Sequence, residues 1–188
     1  MVRLFIKKEL MSKQDRLIVS DSTGQELFLI VGRWGRFADK LSVFSIDGSR
    51  LLDIRQATLS FFPKFYFYID AKKMGTLKKR PGIQGIKNPF FTFTGLNWVI
   101  TGDFIKKHFT IKHFNKTIGT IIKHVSYMGE LYIVDFDSEE YIPVACGLAI
   151  LLDHYAQSKK PMRKRWQQQT YSLGFMHPIW MKLKRKFY

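Results

Sequence analysis

The residues of this sequence best suited to binding a ligand are basic. One group surrounds a predicted hairpin turn and the loop that follows it: Lys72, Lys73, Lys78, Lys79, Arg80 and Lys87. Ammonium and guanidinium groups that converge in this way could bind a phosphate group. Charged side chains also protect a sheet edge against pairing with another strand, so a purely structural role for these residues stays open.

A second basic group lies in the last 32 residues, 157–188, and is mixed with aromatic side chains. Its members are Lys159, Lys160, Arg163, Lys164, Arg165, Trp166, Trp180, Lys182, Lys184, Arg185 and Lys186. This composition suits a membrane surface, where cations meet anionic lipid and aromatic rings settle at head-group depth. The same side chains could bind RNA or DNA by phosphate contacts and base stacking. A disordered tail that only improves solubility is the third interpretation.

The charge balance favours a polyanionic partner. The chain has 31 Lys and Arg against 15 Asp and Glu, which gives a formal net charge of +16. No acidic residue follows Asp153, and between Ala71 and Met128 the only acidic residue is Asp103. A positive field of this extent attracts a lipid surface or a nucleic acid.

Residues for catalysis or metal binding do not form a recognisable pattern. The five histidines are scattered, and His108 and His113 are five residues apart, which places them on opposite faces of a strand. The acidic residues from Asp135 to Glu140 are explained by the start of a helix. We therefore expect a non-enzymatic protein with no metal and no cofactor, and a small-ligand carrier or an unrecognised enzyme is the remaining alternative.

Cysteine content and hydropathy indicate the compartment. The single cysteine, Cys146, excludes a disulfide scaffold and lies in an apolar run. The longest apolar stretch, Tyr141 to Leu152, is well short of the roughly 20 residues of a membrane-spanning helix. Charged residues interrupt the first residues before any secretory core appears. We expect a cytoplasmic protein that associates peripherally with the inner face of the membrane.

Alternating apolar residues and tight turns predict about twelve strands between residues 2 and 136. Residues 15–30 and 39–54 each consist of an apolar run, a turn with Gly and Asp, and a second apolar run, which is typical of a hairpin. Residues 64–70 alternate cleanly: Phe65, Phe67 and Ile69 share one face, and Tyr66 and Tyr68 the other. This strand has one apolar face and one wetter face.

The period changes after residue 140, where the sequence predicts a helix up to about residue 156. No polar residue interrupts residues 141–152, so the helix is apolar on every side and must be enclosed. Its small residues, Ala145, Cys146, Gly147 and Ala149, allow surrounding strands to come close. The economical enclosure is the sheet itself, closed around the helix as a barrel without exposed edges. We therefore predict a mainly β fold, with residues 1–156 as the barrel domain and residues 157–188 as an extension.

Four features together resemble the tubby C-terminal-like superfamily, in particular its LURP-one-related, YxjI-like branch. They are the hairpin with Asp15, Asp21 and Gly24, its near copy from Asp39 to Gly48, the aromatic strand Phe61–Ile69, and the hydrophobic helix that ends in Asp153. The resemblance spans residues 2–156 and implies a twelve-stranded barrel around a C-terminal helix. Relatives include tubby, which binds membrane phosphoinositides, and the phospholipid scramblases, whose cysteine cluster and acidic calcium loop are missing here.

The resemblance transfers no ligand site, because tubby's lipid-contacting positions do not match particular residues of this sequence. The functional expectation therefore depends on the charge distribution and on the superfamily together. We expect a non-enzymatic module that associates with anionic membrane lipids or phosphorylated head groups through its basic surface and tail. Nucleic-acid binding through the basic tail is the alternative.

Overall fold

The computed structural model describes residues 1–8, 16–33, 40–58, 60, 63–82, 89–127 and 129–158. These residues form twelve strands, a short 3-10 helix and one α-helix. The strands are β1 (Val2–Lys8), β2 (Arg16–Ser20), β3 (Glu26–Arg33), β4 (Lys40–Ser45), β5 (Arg50–Gln56), β6 (Lys64–Ile69), β7 (Lys72–Arg80), β8 (Phe90–Thr94), β9 (Trp98–Asp103), β10 (His108–His113), β11 (Lys116–Ser126) and β12 (Gly129–Phe136). The 3-10 helix Glu139–Tyr141 leads into α1 (Ile142–Ser158).

The twelve strands close into one antiparallel barrel. Each strand pairs with its neighbours along the chain, and β1 closes the barrel by pairing with β12, from Val2 opposite Phe136 to Lys7 opposite Leu131. Closure removes the unpaired edges that an open sheet would expose to water and to other chains. The predicted mainly β barrel of twelve strands with one C-terminal helix is confirmed.

Alternation along the strands separates an inner apolar face from an outer wetter face. On β6, Phe65 and Phe67 are fully buried while Tyr66 and Tyr68 between them are partly exposed. Ile69 was expected to share the buried face, but it is 37% exposed. Because Ile69 is the last residue of the strand, it lies at the rim of the barrel, beyond the packed core.

The helix α1 fills the barrel. Its residues from Val144 to Leu152 are buried on every side, and side chains from the barrel strands pack around them. A Cβ atom at Gly147 would lie 2.8 Å from Cδ1 of Ile54 and 3.1 Å from Cδ2 of Leu52. The small side chains of the helix therefore allow the close approach of strand and helix that the sequence predicts.

The helix begins two residues later than expected, with Pro143 in its first turn, where the missing N–H costs little. The acidic residues Glu139 and Glu140 belong to the preceding 3-10 turn. Ser138 stands at the N-cap position of that turn without a side-chain capping hydrogen bond. The acidic cluster therefore contributes at most its charge to the start of the helix.

The direction of α1 gives the barrel two distinct ends. Tyr141, just before α1, packs edge to face on Trp98, the first residue of β9, with 5.5 Å between ring centroids. Near the other end of the helix, Asp153 contacts Lys107 in the turn between β9 and β10. We call these ends the helix-start rim and the helix-end rim. The turns β6–β7, β8–β9 and β10–β11 lie at the helix-start rim, and the turns β9–β10 and β11–β12 at the helix-end rim.

Residues Met1–Ala156 form one compact unit. Residues 159–188 lie outside the described residues, so the division into a barrel and an extension stays a prediction. In the described part of the chain, no helix is both long and apolar enough to cross a bilayer.

Shortening a buried side chain of α1 should destabilise the whole protein. Leu148 is completely buried, so we expect Leu148→Ala to lower the free energy of unfolding by about 2–5 kcal/mol, as lost burial and a residual cavity require. Urea denaturation followed by circular dichroism measures this loss. Ile46→Ala, in the turn between β4 and β5 and 54% exposed, is the control, with an expected change of at most about 0.5 kcal/mol. Equal small losses for both variants would contradict a core role for α1.

Candidate functional site

Lysine side chains gather around one tyrosine on the outer face of β6 and β7. The Nζ atoms of Lys64 and Lys73 lie 4.9 and 4.4 Å from the ring centroid of Tyr66. Lys78 stands directly opposite Lys64 in the pairing of the two strands. We call Tyr66, Lys64, Lys73 and Lys78 the Tyr66 patch.

The ionisation of Tyr66 reports the sign of the field at this patch. A hydrogen bond from Lys64 lowers the pKa of the Tyr66 phenol, and the charges of Lys64, Lys73 and Lys78 lower it further against a smaller effect of burial. Positive groups that favour a phenolate oxygen also favour the anionic oxygen of a bound phosphate. The patch is therefore a candidate anion-binding surface.

Several other bases on the barrel wall are paired with carboxylates. Arg3 contacts Asp135 at 2.7 Å, and Arg50 and Arg55 contact Asp53 at 3.3 and 3.5 Å. Among the residues that the structure describes, by contrast, no carboxylate lies within ion-pair distance of Lys64, Lys73 or Lys78. The positive charge of the Tyr66 patch is thus left available to a partner.

The structure separates the basic residues that the sequence groups together. Lys73 and Lys78 join the Tyr66 patch, whereas Lys72 is exposed beside the β6–β7 turn. Lys79 is half-buried on the same side of β7 as Leu77, and its backbone N–H donates to the Pro63 carbonyl at 3.0 Å. Arg80 donates from Nε to the hydroxyl of Thr92 at 3.3 Å.

Several predicted residues lie outside the described residues. They are Lys87 and the basic and aromatic tail residues Lys159, Lys160, Arg163, Lys164, Arg165, Trp166, Trp180, Lys182, Lys184, Arg185 and Lys186. Their proposed roles stay predictions. Lys64, in contrast, was missed from the sequence, because its partner Lys78 is fixed only by the strand register.

A second group of charged residues lies inside the barrel, at the helix-end rim. Asp153 of α1 accepts hydrogen bonds at Oδ2 from Nζ of Lys123 at 2.8 Å and from the hydroxyl of Tyr132 at 2.7 Å. Nζ of Lys107 lies 2.8 Å from Oδ1 of Asp153, and Nζ of Lys123 lies 2.7 Å from Oε2 of Glu130. We call these five residues the Asp153 cluster. Two positive and two negative groups make its formal charge zero.

Burial and hydrogen bonding compete at Asp153. Burial acts to raise the pKa of its carboxyl, but hydrogen bonds from Lys107, Lys123 and Tyr132 outweigh burial and leave the pKa below its ordinary value of 3.8. Burial, reinforced by the negative charge of Asp153, raises the pKa of Tyr132. Asp153 is therefore an ionised acceptor and Tyr132 a neutral donor. The arrangement suits a structural lock between helix and barrel.

The sequence contained an unused signal for this cluster. On β11, Gly119, Ile121 and Lys123 share the inner face, and the side chain of Lys123 is 1% exposed. A buried ammonium group needs a carboxylate partner. Asp153 is the only acidic residue of α1, so the pairing could have been inferred once the helix was placed inside the barrel.

Metal and thiol chemistry find little support in the described residues. No group of three or more His, Cys, Asp or Glu among them could hold a metal ion. Burial raises the pKa of the Cys146 thiol to about 12, which makes it a poor nucleophile.

Two shallow grooves lie on the outer wall, one apolar with Ile18, Leu29 and Phe44, the other more polar with Asp53 and Tyr68.

Comparison with known proteins places this architecture in a family. The family model described as LURP-one-related matches residues 2–153. The chain belongs to the LURP-one-related family. The resemblance to the LURP-one-related branch that the sequence analysis identified is thereby confirmed.

Two individual proteins are similar to this LURP-one-related chain. "Uncharacterized protein YxjI" of Bacillus subtilis strain 168 is 28% identical over 153 residues, which cover 81% of this chain and 93% of the relative. The X-ray structure of a protein from Arabidopsis thaliana superposes with a TM-score of 0.54 at 12% identity, over 82% of this chain and 91% of the plant protein. The structural likeness shows a shared fold.

Removing the charge of Asp153 should lower the stability of this LURP-one-related protein. Asp153→Asn leaves Lys107 and Lys123 facing a neutral amide, so we expect the free energy of unfolding to fall by about 3 kcal/mol. Chemical denaturation at neutral pH measures it. The matched control is Asp137→Asn, because Asp137 makes a longer ion pair of 3.5 Å with exposed Lys116 and should cost less than about 1 kcal/mol. A loss for Asp153→Asn no larger than that of the control would contradict the lock.

The same carboxylate should make stability depend on pH in the acidic range. The folded-state pKa of Asp153 is lowered, so its stabilisation is fully present above the ordinary value of 3.8 and is lost as the pH falls through the lower folded value. We expect the stability of the wild type to fall more steeply below about pH 4 than that of Asp153→Asn. Unfolding free energies measured across this range for both proteins give the comparison, and parallel curves would contradict the assignment.

Proposed function

We propose that this protein is a non-enzymatic module that associates peripherally with anionic membrane lipids or phosphorylated head groups. The observation that carries the proposal is the Tyr66 patch, where two ammonium groups lie over one ring and Lys78 stands opposite Lys64, without a carboxylate partner among the described residues. The basic extension, with its interleaved aromatic residues, is proposed to add to the same attraction.

Electrostatics supports an anionic surface as the partner. Lysines held close together repel one another, and a polyanion relieves that repulsion on binding. A base near an anionic membrane contributes about 1 kcal/mol, so a patch of three lysines adds usefully to the general attraction of a chain with net charge +16. Lysine is a mobile point charge, which fits head groups of varied geometry better than one rigid ligand.

Nucleic-acid binding is the second candidate, and the extension favours it. Trp166 and Trp180 lie among lysine and arginine residues in the sequence. Aromatic rings between cationic side chains can stack on the unpaired nucleobases of a single strand. The Tyr66 patch gives this candidate no comparable support, because it offers phosphate contacts without a described array of stacking rings. The lipid surface is therefore the first choice.

Sedimentation with vesicles separates the two candidates. The full chain is mixed with vesicles of phosphatidylserine and phosphatidylcholine, or with phosphatidylcholine alone, beside a gel shift with random RNA and DNA. We expect pelleting only with the anionic vesicles, and pelleting that weakens as salt screens the charges. Equal pelleting with both vesicle types would reject the lipid proposal, and a gel shift without pelleting would establish the nucleic-acid alternative.

Neutralising the patch should weaken adsorption more than neutralising bases elsewhere. In Lys64→Gln/Lys78→Gln two lysines are lost from the patch, so the partition coefficient onto anionic vesicles should fall roughly thirtyfold, at about 1 kcal/mol per base. The control Lys112→Gln/Lys116→Gln has the same net charge, but its two lysines lie on β10 and β11 towards the helix-start rim. Equal losses for both variants would show that net charge alone drives adsorption and would refute the role of the patch.

A further inference from the structure

Two hairpin turns at the helix-end rim expose large hydrophobic side chains to solvent. Ile105, in the turn between β9 and β10, is 93% exposed, and Tyr127, in the turn between β11 and β12, is 99% exposed. Two strand spacings separate the turns around the rim, which corresponds to about 10 Å. Exposure this complete at two neighbouring turns marks an interaction surface more than an accident of packing.

Hydrogen bonds hold the β9–β10 turn in a defined conformation. Oδ1 of Asp103 accepts hydrogen bonds from the backbone N–H groups of Ile105 at 2.8 Å and Lys106 at 3.0 Å. The backbone N–H of Lys123 donates to the carbonyl of Lys107 at 3.2 Å and ties the turn to β11. These bonds fix the position of Ile105 at the apex, so its exposure is imposed by the fold.

Charge distinguishes the two rims. Six bases with described side chains border the helix-end rim: Lys7, Arg16, Lys64, Lys78, Arg80 and Lys106. They outnumber the described acidic residues at its two hairpin turns, Asp103 and Glu130, and Glu130 is paired with Lys123. Acidic residues occupy turns and connections of the helix-start rim: Asp21, Asp47, Asp70, Asp137, Glu139 and Glu140. Bases also lie near that second rim: Arg3, Arg50, Lys72, Lys73, Lys112 and Lys116. Three of them are paired with carboxylates, Arg3 with Asp135, Arg50 with Asp53 and Lys116 with Asp137.

The helix-start rim also exposes apolar side chains, among them Ile46 and Ile69, so charge and not exposure distinguishes the two rims. Phe114, in the turn between β10 and β11, is 75% exposed. The acidic residues around that rim would be repelled by an anionic membrane, whereas the bases around Ile105 and Tyr127 would be attracted to it. Lys64 and Lys78 of the Tyr66 patch lie towards the helix-end rim, so they add to the positive charge on that side of the barrel.

We infer that the helix-end rim is the membrane-docking surface and that Ile105 and Tyr127 insert among the lipid head groups. This inference rests on the proposed function and adds to it an orientation and an insertion. The barrel stands on the membrane with the helix-end rim downward. Aromatic and aliphatic side chains at hairpin tips enter the interface while the surrounding lysines contact anionic head groups.

Single-site labelling tests the orientation in the full chain. Ile105→Cys, Tyr127→Cys and the matched control Phe114→Cys are each labelled with the environment-sensitive fluorophore NBD, and the buried Cys146 stays unmodified. On phosphatidylserine and phosphatidylcholine vesicles we expect a blue shift and brighter emission at positions 105 and 127, and neither at position 114. Pure phosphatidylcholine vesicles should leave all three spectra unchanged.

The outcomes separate this inference from the proposed function. If the protein pellets with anionic vesicles while the labels at 105 and 127 do not respond, the inference is wrong and the proposed function stands. If it does not pellet at all, both are wrong. A response only at position 114 overturns the orientation. A response at 105 that grows with protein concentration in the absence of lipid identifies a second copy of the chain as the occupant, and also overturns the inference.

Unlabelled variants supply a second readout. Ile105→Asn and Tyr127→Asn should each lower the partition coefficient onto anionic vesicles roughly tenfold, since each removes an inserted apolar side chain. Phe114→Asn, which removes a similarly exposed side chain from the other rim, should leave it unchanged. Each replaced residue is exposed, so unfolding curves should match the wild type. Equal partition coefficients for all three variants would refute insertion at the helix-end rim.

Discussion

An α-helix that is apolar on every side cannot face water, and this constraint organises the molecule. α1 has no polar face to turn outward, so the protein must surround it completely. A closed antiparallel barrel does this with one continuous sheet and leaves no edge unpaired. The inner side chains of the strands and the small residues of the helix pack closely, as the contact of Gly147 with Ile54 shows.

Filling the barrel with protein determines where a ligand could act. The lumen is occupied by α1, so the described residues offer function mainly on the outer wall and the two rims. The Asp153 cluster closes one end with a balanced set of charges that ties the helix to β11 and β12. Its burial gives the helix a fixed depth in the barrel, because sliding by one turn would separate Asp153 from Lys107 and Lys123 in an apolar interior.

The outer wall shows how one charge composition serves two purposes. Pairs such as Arg3 with Asp135 use bases within the fold itself. The lysines of the Tyr66 patch have no carboxylate partner among the described residues, and the hydrogen bond from Lys64 and the lysine charges lower the pKa of the Tyr66 phenol. Because neighbouring strands run in opposite directions, Lys64 of β6 and Lys78 of β7 lie towards the helix-end rim, where Ile105 and Tyr127 are exposed, whereas Lys73 lies towards the helix-start rim.

The sequence by itself determined the strands, the helix and the barrel. Alternation along a strand and an unbroken apolar helix are local patterns, and an all-round apolar helix in a β-rich chain leaves few ways to enclose it. The tertiary structure alone decided which charges meet. Lys64 faces Lys78 across a strand pair, and Lys123 reaches Asp153 thirty residues away. Register, a bulge beside Tyr68 and the depth of α1 set these contacts, and they depend on the whole closed barrel, which sequence spacing does not encode.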